Sequence, residues 1–582
     1  MIEHPEERVT ERIWWSIPAC YHLGGMTRRR ETVLVMALAV VTTVALTYPL
    51  AFRLGAGGRV DADDGLFSIW NVAWVARTIV ANPTQLFHAN IFYPHRNALA
   101  FSEANLVAGL LAVPPYWLTR NPYTAHNTVV LLSFMLSVVG AYLLVRHLTG
   151  SRPAAAVSGI LFAFCPFVFA RSAHIQLLMT AGLPFSMLAF HRFAQRPSAR
   201  RGGVLGLTLA TTGLACGYYG LFAGLMVGVG IVFHAVTDRL WTKPTYWTGL
   251  AVAIVTGGVV TGVCFLPYLE VNETHGTFVR TLEDAQMYSA DWRAYLASPA
   301  RAHRWLLDWI EVWDEVLFPG FLTLALAGVG LGTLARGGRA ETRRPAGSPD
   351  PAAPHGHAVA LYALIGGLAG WASLGPPGGL YTLLFEVIPG FDMLRAPARL
   401  GIVVALSLAV LGGVGVARLA RGRRGAWVGT GLVIIALVEL SAVPYPHYDA
   451  PRFPTAYQIL AHLPSGPVAE FPHFNNRMDY SRHTYYMVGS TTHWHPLVNG
   501  YSDLIPQNFR AEVDELARFP TRRSLEILDR HQTRYVLLHR RFYSDADWAA
   551  LVDRLSAVAA RLTPIHWDQD AWLFQIADSN LR

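Results

Sequence analysis

The sequence predicts an α-helical polytopic membrane protein of about 11 spans with a C-terminal extracytoplasmic α/β domain. Three observations predict it. Of 582 residues, 52% are hydrophobic and only 15% charged, where a soluble chain would carry about a quarter charged residues. Apolar runs long enough to cross a bilayer recur along residues 32–443. From residue 444 onward the composition changes to 14 basic and 15 acidic residues with soluble patterning. These features exclude a disordered or fibrous chain. The four cysteines, Cys20, Cys165, Cys216 and Cys264, give no disulfide framework or Cys-based metal site.

Residues 1–31 read as a cytoplasmic segment ending in Arg28-Arg29-Arg30. The expected spans are 32–53, 127–145, 153–170, 175–191, 203–216, 221–236, 247–267, 316–335, 358–374, 400–417 and 426–443. With the N-terminus inside, the inner loops hold 21 Arg or Lys against 8 Asp or Glu, and the rest of the chain 26 against 31. That asymmetry is the one expected of a membrane protein whose basic loops stay in the cytoplasm. The net charge of +8 is therefore topological, and nucleic acid is not an expected partner. The orientation requires residues 103–119, broken by Pro114-Pro115, to be re-entrant or interfacial on the outer side. Two large outer loops follow, 54–126 and 268–315, and a cytoplasmic linker at 336–357. In the second loop, Trp305, Trp309 and Trp313 with Asp308, Glu311, Asp314 and Glu315 read as an interfacial helix.

The tail, 444–582, reads as strands at 468–471, 534–539 and 572–576, with helices at 510–518, 523–531 and 545–561, the last capped by Asp545. Its most unusual stretch runs from His493-Trp494-His495 to Asn499-Gly500-Tyr501-Ser502. Aromatic faces beside amide and hydroxyl groups suit a sugar. The same residues suit a buried polar loop docking the tail onto the membrane domain. His493 and His495 without a nearby carboxylate make a poor metal site.

The chemistry-bearing segment is Asp61-Ala62-Asp63-Asp64-Gly65, just beyond the first span on the outer side. Adjacent carboxylates repel, which raises one pKa and makes that group a better proton acceptor. Asp61 and Asp63 are also spaced to hold a divalent cation, Mg or Mn, through oxygen ligands. The bland alternative is a solvated acidic loop with a turn at Asp64-Gly65. Only one lysine, Lys243, occurs in the chain, so arginine has to bind any phosphate. Candidates at outer span ends are Arg171, Arg395 and Arg399; the alternative reading of each is snorkelling toward lipid headgroups. His174 and Gln176 face the same cavity or cap a helix, and Glu103 stands at the mouth of the re-entrant segment as a second base.

Asp64-Gly65-Leu66-Phe67-Ser68-Ile69-Trp70-Asn71, Phe92-Tyr93-Pro94, Arg146-His147-Leu148-Thr149-Gly150, His174-Ile175-Gln176, Pro389-Gly390-Phe391 with Arg395 and Arg399, and Val498-Asn499-Gly500-Tyr501 carry a resemblance. They look like motifs of a bacterial group of multi-pass proteins assigned to the GT-C superfamily. The architecture likewise resembles that superfamily, the polyprenyl-phosphate-dependent membrane glycosyltransferases that include protein mannosyltransferases and aminoarabinose transferases. The resemblance implies transfer of a sugar from a polyprenyl-phosphate donor to an envelope glycan, lipid or protein at the outer face of a bacterial plasma membrane. It implicates Asp63 and Asp64 as base or metal-binding groups. One departure is that Ala112-Val113 precede Pro114-Pro115 where aminoarabinose-type enzymes have a lysine. A transporter or flippase of lipid-linked glycans, or a non-catalytic envelope assembly protein of the same fold, are the alternatives. Spans nearly free of charge, with Glu439 an exception, and the absence of an internal repeat speak against a transporter.

Overall fold

A computed structural model of the chain describes residues 27–59, 64–276, 280–341, 353–476 and 478–577. Asp61 and Asp63 lie outside the described residues, as does Cys20. Helix α1 (Arg28–Leu46) is followed by a two-residue strand β1 (Gly57–Gly58), α2 (Asp64–Ala81), α3 (Leu106–Thr119), α4 (Pro122–Thr149), α5 (Arg152–Ala163), α6 (Pro166–Ala170), α7 (Ile175–Leu178) and α8 (Gly182–Gln195). Then come α9 (Ala199–Ala215), α10 (Gly217–Asp238), α11 (Pro244–His275), α12 (Leu282–Met287), α13 (Arg304–Ile310), α14 (Phe321–Glu341), α15 (Ala353–Ser373), α16 (Leu380–Val387), α17 (Gly401–Leu419) and α18 (Gly425–Glu439).

A helix or helix pair lies over each of the eleven apolar runs. Among the described residues five helical segments are both long and apolar enough to cross a membrane: Pro122–Thr149, Arg152–Ala170, Gly217–Asp238, Pro244–His275 and Pro397–Leu419. The run at 175–191 is interrupted between α7 and α8, where the Thr180 amide bonds Leu178 O at 2.7 Å. The packing of α9 on α11 depends on small residues. A methyl group added at Gly202 or Gly206 would run into the carbonyls of Gly249 and Ala253, so the two backbones approach as only glycine permits.

Helix ends sort into two groups. At one end Glu31 accepts from Arg146 (2.8 Å), Arg152 (2.9 Å) and Tyr142 (2.9 Å). At the other, Tyr445 N bonds Tyr48 O at 2.8 Å, Ala290 N bonds Ser373 O at 2.9 Å, and Arg301 N bonds Ser441 O at 3.0 Å. The second end carries Asp64 and the tail.

Between α1 and α4 the sequence suggested a loop opening on a turn at Asp64-Gly65. The turn is not found: Asp64 is the first residue of the 18-residue α2, and Gly65 and Ser68 to Ala76 are buried. Asp64 favours that position because a carboxylate in the first turn faces the unpaired amides of the helix start. Helix α3 has 14 residues, about 21 Å at helical rise against a hydrocarbon core of about 30 Å, and buries Ala108, Gly109, Ala112 and Tyr116. Helix α13 stops at Ile310 because Glu311 takes φ 60°, and Glu315 is buried instead of solvated. The seven-residue helix carries Trp305 and Trp309, both exposed, and leaves Trp313 beyond it.

The tail forms β2 (Tyr448–Asp449), α19 (Ala456–Leu460), β3 (Val468–Phe471), α20 (His483–Ser490), α21 (Gln507–Ala517), α22 (Arg522–Arg530), β4 (Tyr535–His539), α23 (Asp545–Ser556), β5 (Leu562–Trp567) and β6 (Ala571–Ile576). The sheet order is β3-β4-β6-β5, with β3 and β4 parallel and the other pairs antiparallel. Two sequence readings need correction. Ser544, not Asp545, caps α23, its side chain accepting from Asp547 N. The helix ends at Ser556, before the unanticipated strand β5, where Leu562, Ile565 and Trp567 fit a pleated, partly buried surface.

The tail shares its core with the first outer loop. Ile69, Trp70, Phe92 and Phe101 pack in one apolar cluster with Tyr457, Leu537 and Leu573. Backbone bonds seal the contact: Phe92 N to Asn499 O (3.0 Å), Tyr93 N to Leu497 O (2.8 Å) and Leu497 N to Asn90 O (2.9 Å). Asn499, fully buried, accepts from Glu470 N at 2.7 Å and donates to Glu470 O at 2.8 Å. Replacing Asn499 by alanine leaves both backbone groups of a buried strand residue without a side-chain partner. The expected cost is about 1–3 kcal/mol, read as a lower thermal midpoint of the purified protein.

Candidate functional site

The site is built outward from Asp64. Gly57 and Gly58 pair with Asp449 and Tyr448 of the tail. A side chain on Gly57 would strike the Tyr448 carbonyl, so the close pairing requires glycine there. Asn127 of α4 donates to Leu54 O (2.7 Å) and Gly57 O (2.6 Å). Arg59 donates to Phe169 O and, at 2.6 Å, to Ser172 Oγ. The segment leading to Asp64 is thereby fastened to the turn after α6 that carries His174.

The Asp64 carboxylate is held from two sides. His174 Nε2 lies 3.0 Å from Oδ2, and Tyr501 Oη donates to Oδ1 at 3.2 Å. Three separate stretches of chain converge here: the start of α2, the α6–α7 turn and the tail. The His174 hydrogen bond holds the Asp64 carboxyl below its usual pKa against the opposing effect of burial, with help from Tyr501 and the Arg395 charge. The sequence expectation of a raised pKa from neighbouring carboxylates is reversed at Asp64, because a hydrogen-bond donor on the charged form outweighs desolvation. Its side chain nonetheless stays 48% exposed, open to an incoming group.

Glu103 is half-buried beside α10, its Oε1 accepting from Gly217 N at 2.6 Å. Burial pushes its carboxyl up, with the Gly217 amide and the Arg399 charge opposing. Asn71, two turns along α2 from Asp64, donates to Glu103 O at 3.2 Å and so ties the two acids to one helix.

Arg395 and Arg399 flank Pro397 before α17. The Arg395 amide donates to Tyr218 Oη at 3.0 Å, and its guanidinium lies 5.4 Å from the Tyr288 ring centroid. The Arg399 guanidinium lies 4.3 Å from the Tyr218 centroid. Among the described residues neither has a carboxylate at ion-pair distance. Arg171 differs: it is ion-paired with the buried Glu315, so its charge is already matched. Tyr218 and Tyr288 escaped the sequence reading. The one signal for Tyr218 was the Gly217-Tyr218-Tyr219-Gly220 break between two apolar runs.

The remaining sequence candidates are distributed unevenly. Gln176 is half-buried in α7. His493 accepts from His495 N at 2.9 Å and stacks on Tyr457 with centroids 5.7 Å apart. Trp494 takes φ 57° and packs against Trp74 at 5.7 Å. Of the 493–502 stretch, Tyr501 reaches Asp64, while His495 and Asn499 bond tail backbone. Among the described residues no three His, Cys, Asp or Glu side chains converge to hold a metal ion, and both Asp64 oxygens are engaged by protein groups.

No curated protein matches the chain. Residues 106–260 match the family model described as dolichyl-phosphate-mannose-protein mannosyltransferase. Among solved structures, ArnT from Cupriavidus metallidurans bound to undecaprenyl phosphate aligns at 14% identity and a TM-score of 0.49, covering 95% of this chain and 99% of that one. The Archaeoglobus fulgidus oligosaccharyltransferase aligns at 13% and 0.45, covering 94% and 74%. Arabinofuranosyltransferase AftD from Mycobacteria aligns at 16% identity and a TM-score of 0.56, covering 95% of this chain and 42% of that one. Over nearly its whole length, then, the chain is similar in fold to that arabinofuranosyltransferase.

Proposed function

We propose that this chain is a membrane glycosyltransferase that moves a sugar from a polyprenyl-phosphate-linked donor to an envelope acceptor at the outer face of a bacterial plasma membrane. The observation that carries the reading is Asp64, half-exposed and held by His174 and Tyr501, in the electrostatic field of Arg395. The partial family match to enzymes of dolichyl-phosphate-mannose supports the donor class.

The chemistry follows from the groups present. An acceptor hydroxyl attacks the anomeric carbon, and the bond from that carbon to the phosphate oxygen breaks. The hydroxyl proton passes to the Asp64 carboxylate. The electron pair of the broken bond stays on the departing phosphate, whose growing charge meets Arg395 and Arg399. His174 and Tyr501 fix the direction of the Asp64 oxygens, and Tyr501 brings the tail to the acceptor side. Asp63 and Asp61 belong to the same reading as a second carboxylate and a cation pair. Asp61 and Asp63 lie outside the described residues, and the steps above are written for Asp64 and the arginines alone.

In this reading the chain crosses the membrane eleven times, with residues 1–31 inside and 444–582 outside as an α/β domain. Support for the first three crossings comes from the start of α1, the end of α4 and the start of α5 meeting at Glu31, while Asp64 and His174, which follow the other ends, meet each other. The test is transfer in proteoliposomes holding the full-length protein, a lipid-linked sugar and membrane-extract acceptor. Product dependent on Asp64 supports the enzyme. Translocation of the intact lipid-linked glycan, unchanged by Asp64→Asn, would overturn it in favour of a flippase.

A further inference from the structure

A second cationic cluster stands away from Asp64. Arg77 lies thirteen residues along α2 from Asp64, about 20 Å by helical rise. Its guanidinium sits 5.1 Å from the Trp494 ring centroid. Arg120, at the C-terminal cap of α3, lies 3.8 Å from the Trp117 centroid and 5.8 Å from that of Tyr116. Trp117 is itself fixed to α2, its Nε1 donating to Ala76 O at 3.0 Å. Trp494 also packs on Trp74, with ring centroids 5.7 Å apart.

The two arginines are joined through Trp117, which lies against the Arg120 guanidinium and bonds the carbonyl of Ala76, the residue before Arg77. Burial chiefly, and the Arg120 charge as well, hold the Arg77 guanidinium below its ordinary pKa. Among the described residues neither arginine has a carboxylate partner. Two like charges gathered over three aromatic rings, one of them half-buried, are costly unless an anion joins them. Aromatic faces offset only part of that cost.

The level of the cluster indicates the source of the anion. Asn121, next to Arg120, donates to Gly55 O at 3.2 Å and caps α4 by accepting from Thr124 N at 3.0 Å. Arg120 therefore stands beside the loop that follows α1 and two residues before α4, an apolar helix long enough to cross a membrane. Leu118, two residues away, is 85% exposed and offers acyl chains an apolar contact. We infer that Arg77 and Arg120, framed by Trp494, Trp117 and Tyr116, bind the phosphate of an anionic membrane lipid at a site separate from Asp64. A planar guanidinium suits two phosphate oxygens, and the exposed leucine meets the tail below.

The test uses the purified full-length protein, delipidated in mild detergent and then given phosphatidylglycerol. Retained lipid is counted by native mass spectrometry. The wild type is expected to hold phosphatidylglycerol about tenfold more tightly than Arg120→Gln or the Arg77→Gln/Arg120→Gln pair. Millimolar inorganic phosphate is expected not to displace it. Arg120 is exposed, so the single variant leaves the core untouched even where the double one destabilises. Equal retention by wild type and Arg120→Gln would overturn the site. Displacement by inorganic phosphate would overturn the lipid assignment in favour of a soluble phosphate ligand. Neither result depends on glycosyl transfer.

Discussion

Asp64→Asn is expected to lower the rate of glycosyl transfer about a thousandfold, the middle of the range for loss of a positioned proton acceptor. Donor binding should be nearly unchanged, because the substitution keeps the shape and its amide can still accept from one of His174 and Tyr501 while its NH2 faces the other. The measure is kcat in proteoliposomes beside binding of a short-chain polyprenyl phosphate. A variant with kcat within a factor of about three of wild type would remove Asp64 from the chemistry. His174→Ala provides a companion test with a different readout. The His174 hydrogen bond is the main cause of the lowered Asp64 pKa. The reaction needs the ionised carboxylate, so activity falls as pH drops through that pKa. Removing His174 should move the acid limb of the pH–rate profile upward, toward the ordinary aspartate range. A purely structural histidine would lower the rate without moving the limb.

How much of this was legible beforehand depends on the kind of signal. Apolar runs are local and repetitive, so the helices were readable to within a few residues, as α10 (Gly217–Asp238) against the expected 221–236 illustrates. Strands β3, β4 and β6 were readable for the same reason. What failed was decided at a distance. Helix α2 is buried on every side from Ser68 to Ala76 in a core that includes the tail, where Trp70 bonds Asn90 at 3.1 Å and Asn90 bonds Ser490 at 3.0 Å. No local rule reveals such a partner four hundred residues away. Strand β5 was lost because the helical pattern of 545–556 continues apolar into Leu562.

The site divides along the same line. That Asp64 is an acid just past the first span was visible in order and composition. That its partners are His174 and Tyr501 was not, since His174 looked as much like a helix cap. Arg171 was grouped with Arg395 and Arg399 by its position at a span end. Its pairing with Glu315, from a segment read as an exposed helix, separates it from them. A charge count shows which residues are cationic; only the fold shows which cations already have a counter-ion.

That distinction sets the second large effect. Arg399→Gln is expected to raise the donor KM by about ten- to a hundredfold, the worth of a charge-assisted hydrogen bond to a phosphate. It should alter kcat as well if the charge on the departing phosphate is met there. Arg171→Gln is expected to act through stability, because it strands the buried Glu315. Tyr218 links Arg395 and Arg399: its ring lies under Arg399 and its hydroxyl accepts from the Arg395 amide. Tyr218→Phe retains the stacking face and loses only the bond to the Arg395 backbone, so its KM should rise less than that of Tyr218→Leu. The comparison is made by steady-state kinetics against donor concentration, with binding of polyprenyl phosphate measured alongside. Equal donor affinity in Arg399→Gln and wild type would mean that the unpaired guanidiniums serve something other than phosphate.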